Sequence, residues 1–272
     1  MPGVILTFIE HPEVADRALS AAARLAGLMG GARIEVLAIR VPPEATIMPT
    51  EEVLTRKYAL QVRARGEARI AALKAAFDAW SAAVCGSGVS VEWCDVEGIA
   101  GAVVEQRGRR ADFIVLKRPG RQDDLLDRQA IHAALFDTDR PVLVVPPERE
   151  HVPFGRKVAI AWRDDRFTIK AVLAGLRVLA NAERVFVLAG AREDAPRPEV
   201  PPILAEHGIA AELHVLPIGA GVFGQALLAK AREREADMLV LGAYVHRARS
   251  LILGGVTRHV LAEADMPVLM RH

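Results

Sequence analysis

Cysteine is nearly absent from the 272-residue chain: only Cys85 and Cys94 occur, with no Cys or His partner at zinc-ligand spacing. That argues against a disulfide framework and a structural zinc site and leaves two ordinary reduced thiols. Net charge is nearly absent too. Lys and Arg total 35 against 34 Asp and Glu, a formal charge of +1. No global field is therefore aimed at nucleic acid or at an anionic membrane. Apolar runs fall far short of the roughly 18–20 residues of a membrane span. Neither a Gly-x-Ser-x-Gly elbow around Ser20, Ser81 or Ser250 nor a phosphate loop ending in Gly-Lys-Ser/Thr is present, so a hydrolase triad and a P-loop are unsupported. The opening Met1-Pro2-Gly3-Val4-Ile5-Leu6 lacks the basic segment and small-residue cleavage site of a secretory signal. It reads as a buried strand, and the expected compartment is the cytoplasm.

What is present is a core and a repeat. Hydrophobic residues make up 51% of the chain and charged residues 25%, a composition that folds into a packed interior. At roughly 100–200 residues per domain the length suggests about two domains. Ala-Asp-Phe-Ile-Val-Leu at 111–116 returns as Ala-Asp-Met-Leu-Val-Leu at 236–241. An amphipathic stretch precedes each copy, Ile99 to Arg110 and Val222 to Glu235. An Asp-x-Pro-Val-Leu run follows each, Asp139 to Leu143 and Asp265 to Leu269. The offset is 125 residues at the Asp and 126 at the Pro, which marks an internal duplication. The front ends match as well: Val4–Phe8 then His11 to Met29, and Val158–Trp162 then Asp165 to Ala180.

Each half reads as five short apolar strands alternating with four helices. In the second half the predicted strands are Lys157–Trp162, Arg184–Ala189, Ala211–Leu216, Asp237–Gly242 and Pro267–Met270. Such alternation gives parallel strands with right-handed crossovers, hence an α/β chain of two tandem doubly wound domains with helices on both faces. The charged, Pro-rich stretch Pro146 to Pro153 reads as the linker, placing the domains at 1–148 and 154–272. The first half carries about 30 extra residues around Pro42 to Ser87, including a long helix predicted over Glu51 to Trp80. Val53, Leu54, Tyr58, Leu60, Val62, Ile70, Leu73 and Phe77 give it a partly apolar face. It is either a longer second helix on the first sheet or, with Met48-Pro49, a lid or dimer contact. His207, His214 and His259 lack metal spacing and read as surface residues. Asp164-Asp165 reads as a helix cap, with a carboxylate cation site as the alternative, and Trp80, Trp93 and Trp162 read as packed against their sheets.

In doubly wound sheets ligands bind beyond the carboxyl ends of the strands, near the switch in strand order. The stretch Gly242 to Arg258 starts at such a strand end, crosses a basic loop and meets Gly254-Gly255-Val256-Thr257 at a helix start. Glycines admit a ligand close to the backbone, and the helix N–H groups suit phosphate. Thr257 adds a hydroxyl, and Arg247 and Arg249 add charge-assisted donors. A Gly-containing turn that merely caps the helix is the plainer alternative.

With Ala-Asp-Met-Leu-Val-Leu-Gly at 236–242, Leu253-Gly254-Gly255-Val256-Thr257-Arg258-His259-Val260-Leu261, Met266-Pro267-Val268-Leu269 and Ala161-Trp162-Arg163-Asp164, the chain resembles the universal stress protein family in its tandem two-domain form. The resemblance implies a Rossmann-like, adenine nucleotide alpha hydrolase-like fold with five parallel strands and four helices per domain. It implies dimerisation through the last strands, either as a homodimer or as a pseudo-dimer within one chain. For some members it implies ATP bound, with Mg²⁺, through Gly-x2-Gly-x9-Gly-Ser/Thr. On that pattern Gly242 matches the first glycine and Val245 replaces the second. The last is Gly254, or Gly255 by simple counting. The acidic residue after the first strand corresponds to Arg163 or Asp164, adenine would lie near Ala161, Leu188 and Ala189, and Trp162 is also in the expected binding set. Gly255 or Thr257 would offer the phosphate contact, with Gly254 and Val256 also in the expected binding set.

The first half fits less well. Its equivalent stretch, Lys117 to Asp124 and then Asp127 to His132, has no glycine pair, and its acidic residues repel an anion. It reads as a degenerate copy. The expected function is a sensor or regulator that binds an adenine nucleotide, ATP, in the C-terminal domain only. Little dedicated catalysis and at most slow ATP hydrolysis are expected, since no residue is placed to activate water. An unidentified protein is the expected downstream partner. Two alternatives remain open: an interaction scaffold of the same family that has lost its nucleotide, and an enzyme on the same scaffold.

Overall fold

A computed structural model describes residues 3–46, 56–84, 89–118, 120, 125–146, 153–219, 222–243, 245–246 and 252–272. Cys85, Met48-Pro49, Val53 and Leu54, linker residues 147–152, and Arg247 and Arg249 lie outside them. The chain divides into two compact units, Met1–Arg140 and Pro141–His272.

In the first unit β1 (Gly3–Phe8), β2 (Ala32–Arg40), β3 (Ser90–Glu97) and β4 (Phe113–Lys117) are all parallel, in the order β3-β2-β1-β4. Ile5 to Phe8 and Phe113 to Leu116 are buried without a break, as central strands covered on both faces must be. The cover comes from α1 (Ala15–Leu28), α2 (Arg56–Val84), α3 (Ala100–Gly108) and α4 (Leu125–Phe136). Alanine and leucine at helical spacing let α1 bury Ala18, Leu19, Ala22, Leu25 and Ala26. It stops at Gly30 and Gly31, with φ of 78° and 113°, where the Gly31 N–H donates to the Ala26 carbonyl at 2.9 Å.

The long helix α2 lies as predicted over the described part of its range and runs on to Val84. Only its C-terminal half is buried, through Ile70, Leu73, Phe77 and Trp80. The Phe77 ring lies 6.2 Å from Trp80 and 5.4 Å from Trp93. Towards the N-terminus Tyr58 and Leu60 are 43% and 58% exposed. Midway, Arg69 donates to the Ile39 carbonyl at 2.5 Å and to the Glu10 carbonyl at 3.3 Å, tying α2 to the carboxyl ends of β2 and β1. Cys94 on β3 is half-buried, and burial pushes its thiol pKa up, in keeping with an unreactive thiol.

In the second unit the strands are β5 (Val142–Val145), β6 (Lys157–Trp162), β7 (Arg184–Ala191), β8 (Glu212–Pro217), β9 (Met238–Gly242) and β12 (Val268–Arg271). Their order is β5-β12-β9-β6-β7-β8. Five run parallel, while β5 is antiparallel to β12, with Leu143 opposite Leu269 and Val144 opposite Val268. The last strands of the two sequence repeats thus pair with each other. The crossovers are α5 (Arg166–Ala180), α6 (Pro202–Glu206), α7 (Phe223–Glu233) and α8 (Gly255–Glu263). All five strands predicted in this half are present, with ends that differ by no more than two residues. Within the expected basic loop, β10 (Val245–His246) and β11 (Ile252–Leu253) form a short antiparallel ribbon, which the sequence reading did not anticipate.

The duplicated Ala-Asp has the same structural job twice. The Asp237 carboxylate accepts from the N–H groups of Gly155, Arg156 and Lys157 at 2.7–3.2 Å, while its own N–H donates to the Lys157 carbonyl at 2.8 Å. Asp112 accepts from Val4 N–H at 2.7 Å and donates to the Val4 carbonyl at 2.8 Å. Each Asp pins the entry of the first strand of its repeat to the start of the fourth. Among the described residues no helix is long and apolar enough to cross a membrane.

Candidate functional site

Beyond the carboxyl ends of β6 and β7, where the chain order of the second sheet reverses between β6 and β9, lies a cleft of about 810 Å³. That is the position at which open α/β sheets take their ligands, and the volume suits a small molecule. Its floor is apolar: Ala161, Leu188, Ala189 and Leu241 from the strand ends, and Ile218, Phe223 and Leu227 from the β8–α7 connection and α7. The Pro-rich segment Pro196 to Pro202 forms one wall. Its four prolines, Pro196, Pro198, Pro201 and Pro202, hold an extended path with few backbone donors. Polar groups stand around the mouth: Arg163 and Asp164 after β6, Arg197 and Glu199 on the wall.

The opposite wall is the first turn of α8. Val256 and Thr257 line the cleft. Gly254 caps the helix with φ −55° and ψ 150° and offers no side chain to the leading N–H groups, which have no acceptors within the helix. Thr257 is 1% exposed, and its Oγ1 has no hydrogen-bond partner among the described residues. A buried hydroxyl without a partner is costly, and here it stands at a helix N-terminus beside an open cleft.

The structure brings eight of the expected residues to this cleft: Ala161, Trp162, Arg163, Asp164, Leu188, Ala189, Val256 and Thr257. Gly242, Gly254 and Gly255 do not line it. Gly242 answers to packing: a Cβ there would stand 2.7 Å from the Thr168 nitrogen and 2.9 Å from the Phe167 carbonyl carbon, in the first turn of α5. At Gly255 a Cβ would meet nothing within 4 Å, so the protein's own packing does not demand glycine there. Val245 lies in the β10–β11 ribbon, opposite Leu253. Arg247 and Arg249 are outside the described residues.

The Asp164-Asp165 pair resolves into two roles. Asp165 caps α5, accepting from the Phe167 and Thr168 N–H groups at 3.0 Å. Its other oxygen takes the Arg163 Nε at 2.6 Å, which draws that guanidinium to the helix start. Asp164 stays exposed at the mouth. Sequence reasoning missed Thr168, Gly190, Ile218, Phe223, Leu227, Leu241 and the proline wall. Gly190 carried a usable signal, since it directly follows Leu188-Ala189 at a strand end. A Cβ on it would come within 2.8–2.9 Å of Phe223 and Ile218 side-chain atoms, so its absence keeps the floor deep.

Residues 189–272 match the model of the Universal stress protein family. No curated protein matches the chain. Among solved structures it is similar to a universal stress protein from Archaeoglobus fulgidus, with 16% identity and a TM-score of 0.65, covering 99% of this chain and 96% of that one. A putative universal stress protein from Pseudomonas aeruginosa UCBPP-PA14 aligns at 15% identity and a TM-score of 0.63, covering 99% and 93%. A protein from Pseudomonas aeruginosa PAO1 described as functionally unknown aligns at 16% and 0.61, covering 99% and 92%. The resemblance read from the sequence therefore stands: residues 189–272 carry the universal stress protein pattern, and over its whole length the chain has the fold of two-domain proteins of that family.

Proposed function

We propose that the protein binds an adenine nucleotide, ATP with Mg²⁺, in the cleft of its second unit, and that it acts as a sensor or regulator whose state follows nucleotide occupancy. The observation that carries the reading is Thr257: a buried hydroxyl without a partner among the described residues, in the first turn of α8, on the wall of a cleft of about 810 Å³. The apolar floor suits a purine and the helix N-terminus suits a phosphate. Arg163 and Arg197 supply positive charge at the mouth, and Asp164 is available to a ribose hydroxyl.

Isothermal titration of nucleotide-stripped full-length protein with ATP and Mg²⁺ tests this. One ATP per chain, weakened in the Thr257→Val variant, is the expected result. Absence of saturable binding and of thermal stabilisation at millimolar ATP would overturn it. A second reading, an interaction scaffold without nucleotide, is supported by the exposed Tyr58 and Leu60 on α2. It predicts self-association that weakens when both are replaced by serine, whatever the outcome with ATP.

A further inference from the structure

At the carboxyl end of the first unit's sheet, three segments distant in sequence converge on one point. Glu10 and His11 follow β1, and Asp127 stands in the first turn of α4. Glu10 and Asp127 are only 5% and 7% exposed, and the His11 side chain is 27% exposed. One ligand atom from each lies within 4.8 Å of the others. His11 Nε2 is 3.2 Å from Asp127 Oδ2 and 3.8 Å from Glu10 Oε2. Zinc bonds to imidazole and carboxylate measure about 2.0–2.2 Å, which spaces tetrahedral ligand atoms about 3.3–3.6 Å apart. The two observed separations bracket that spacing. A void of about 10 Å³ lies among these side chains, of the size that holds a single small particle.

A further feature favours a cation. The imidazole's other nitrogen, Nδ1, faces Glu13 Oε1 at 3.8 Å, the carboxylate–histidine order that orients a metal ligand. Lys117 Nζ lies 3.5 Å from Asp127 Oδ2.

We propose that Glu10, His11 and Asp127 form a binding site for one divalent first-row transition-metal ion, of the zinc type. The imidazole nitrogen selects this class over magnesium and calcium, which prefer all-oxygen sites. The site stands in the first unit, independent of the nucleotide cleft of the second. The metal would tie the end of β1 to the start of α4 at the place where, in the second unit, α8 borders its cleft.

The test is a zinc titration of the full-length protein, stripped with chelator and free of nucleotide, read by calorimetry and by thermal melting. One zinc per chain with a raised Tm is expected, undiminished by excess magnesium. His11→Ala should weaken binding by more than about 100-fold, and Glu13→Gln, at an exposed position, by about 10-fold. Circular dichroism of both variants establishes that they fold. Absence of saturable binding up to about 100 μM zinc, or equal binding by His11→Ala, would overturn the proposal. ATP titration of His11→Ala should match that of the parent, so this result stands or falls apart from the nucleotide reading.

Discussion

Replacing Thr257 with valine is expected to move stability and affinity in opposite directions. Valine nearly matches threonine in shape and helix propensity, so the change leaves no cavity and costs the helix little. What it removes is a hydroxyl that is 1% exposed and without a partner among the described residues. Leaving such a group buried costs about 1–3 kcal/mol, so the ligand-free variant should gain at least about 1 kcal/mol, or about 2–4 °C in Tm for a chain of this size. With ATP bound, the hydroxyl would donate to a phosphate oxygen, and a hydrogen bond to a charged group contributes about 1.5–3 kcal/mol. Losing it should weaken ATP by about 10- to 150-fold. Chemical denaturation without nucleotide gives the first quantity and calorimetry the second. A variant that is less stable than the parent and binds ATP equally well would refute the reasoning. It would mean that the hydroxyl serves the fold.

Three further substitutions probe the cleft and its frame. Gly190→Ala places a Cβ within 2.8–2.9 Å of Phe223 and Ile218 side-chain atoms; displacing them towards the cleft should lower ATP affinity at least several-fold and cost about 1–3 kcal/mol of stability, and unchanged affinity would place adenine elsewhere. Asp237→Ala removes the acceptor for three strand-entry N–H groups and should cost about 1–3 kcal/mol in denaturant titration; a loss under about 0.5 kcal/mol would show that the duplicated Asp has another purpose. Burial, and secondarily the Arg234 guanidinium, holds the His214 imidazole below its ordinary pKa of 6.5. The folded protein thus keeps His214 neutral where the unfolded chain would protonate it, so this contribution is present above pH 6.5 and is lost as pH falls through the lower folded-state value. His214→Gln should flatten that part of the stability–pH curve, and an unchanged slope would refute it.

The strand-and-helix alternation was legible because each half repeats it and because buried parallel strands leave unbroken apolar runs such as Val158–Ala161. The duplicated Asp was legible as a repeat but not as a pin, since its partners are backbone N–H groups that any sequence supplies. The cleft was legible only at its strand ends and at α8. Its remaining walls come from Ile218, Phe223 and the prolines 196–202, whose contribution is shape, and shape leaves no spacing rule in a sequence. Gly242 shows the converse: a glycine read as a ligand contact also packs against the first turn of α5, where tight helix–strand contact demands it whether or not a ligand is near.

The same limit explains the two ends of the repeat. The sequence pointed to acidic residues at the start of α4 as hostile to phosphate, and Asp127 does stand in that first turn. What it could not show is that Glu10 and His11, at the exit of β1, meet Asp127 across more than a hundred residues of chain. In the second unit the corresponding exit of β6 carries Arg163 and Asp164 at an open cleft. In the first, Arg69 from α2 takes the carbonyls of Glu10 and Ile39, and the carboxylates beside it gather around an imidazole. Arg69 of the long helix thus stands at strand ends of the first copy, where the second copy keeps its cleft. The two copies differ there in what is packed against the strand ends, although the strands themselves repeat.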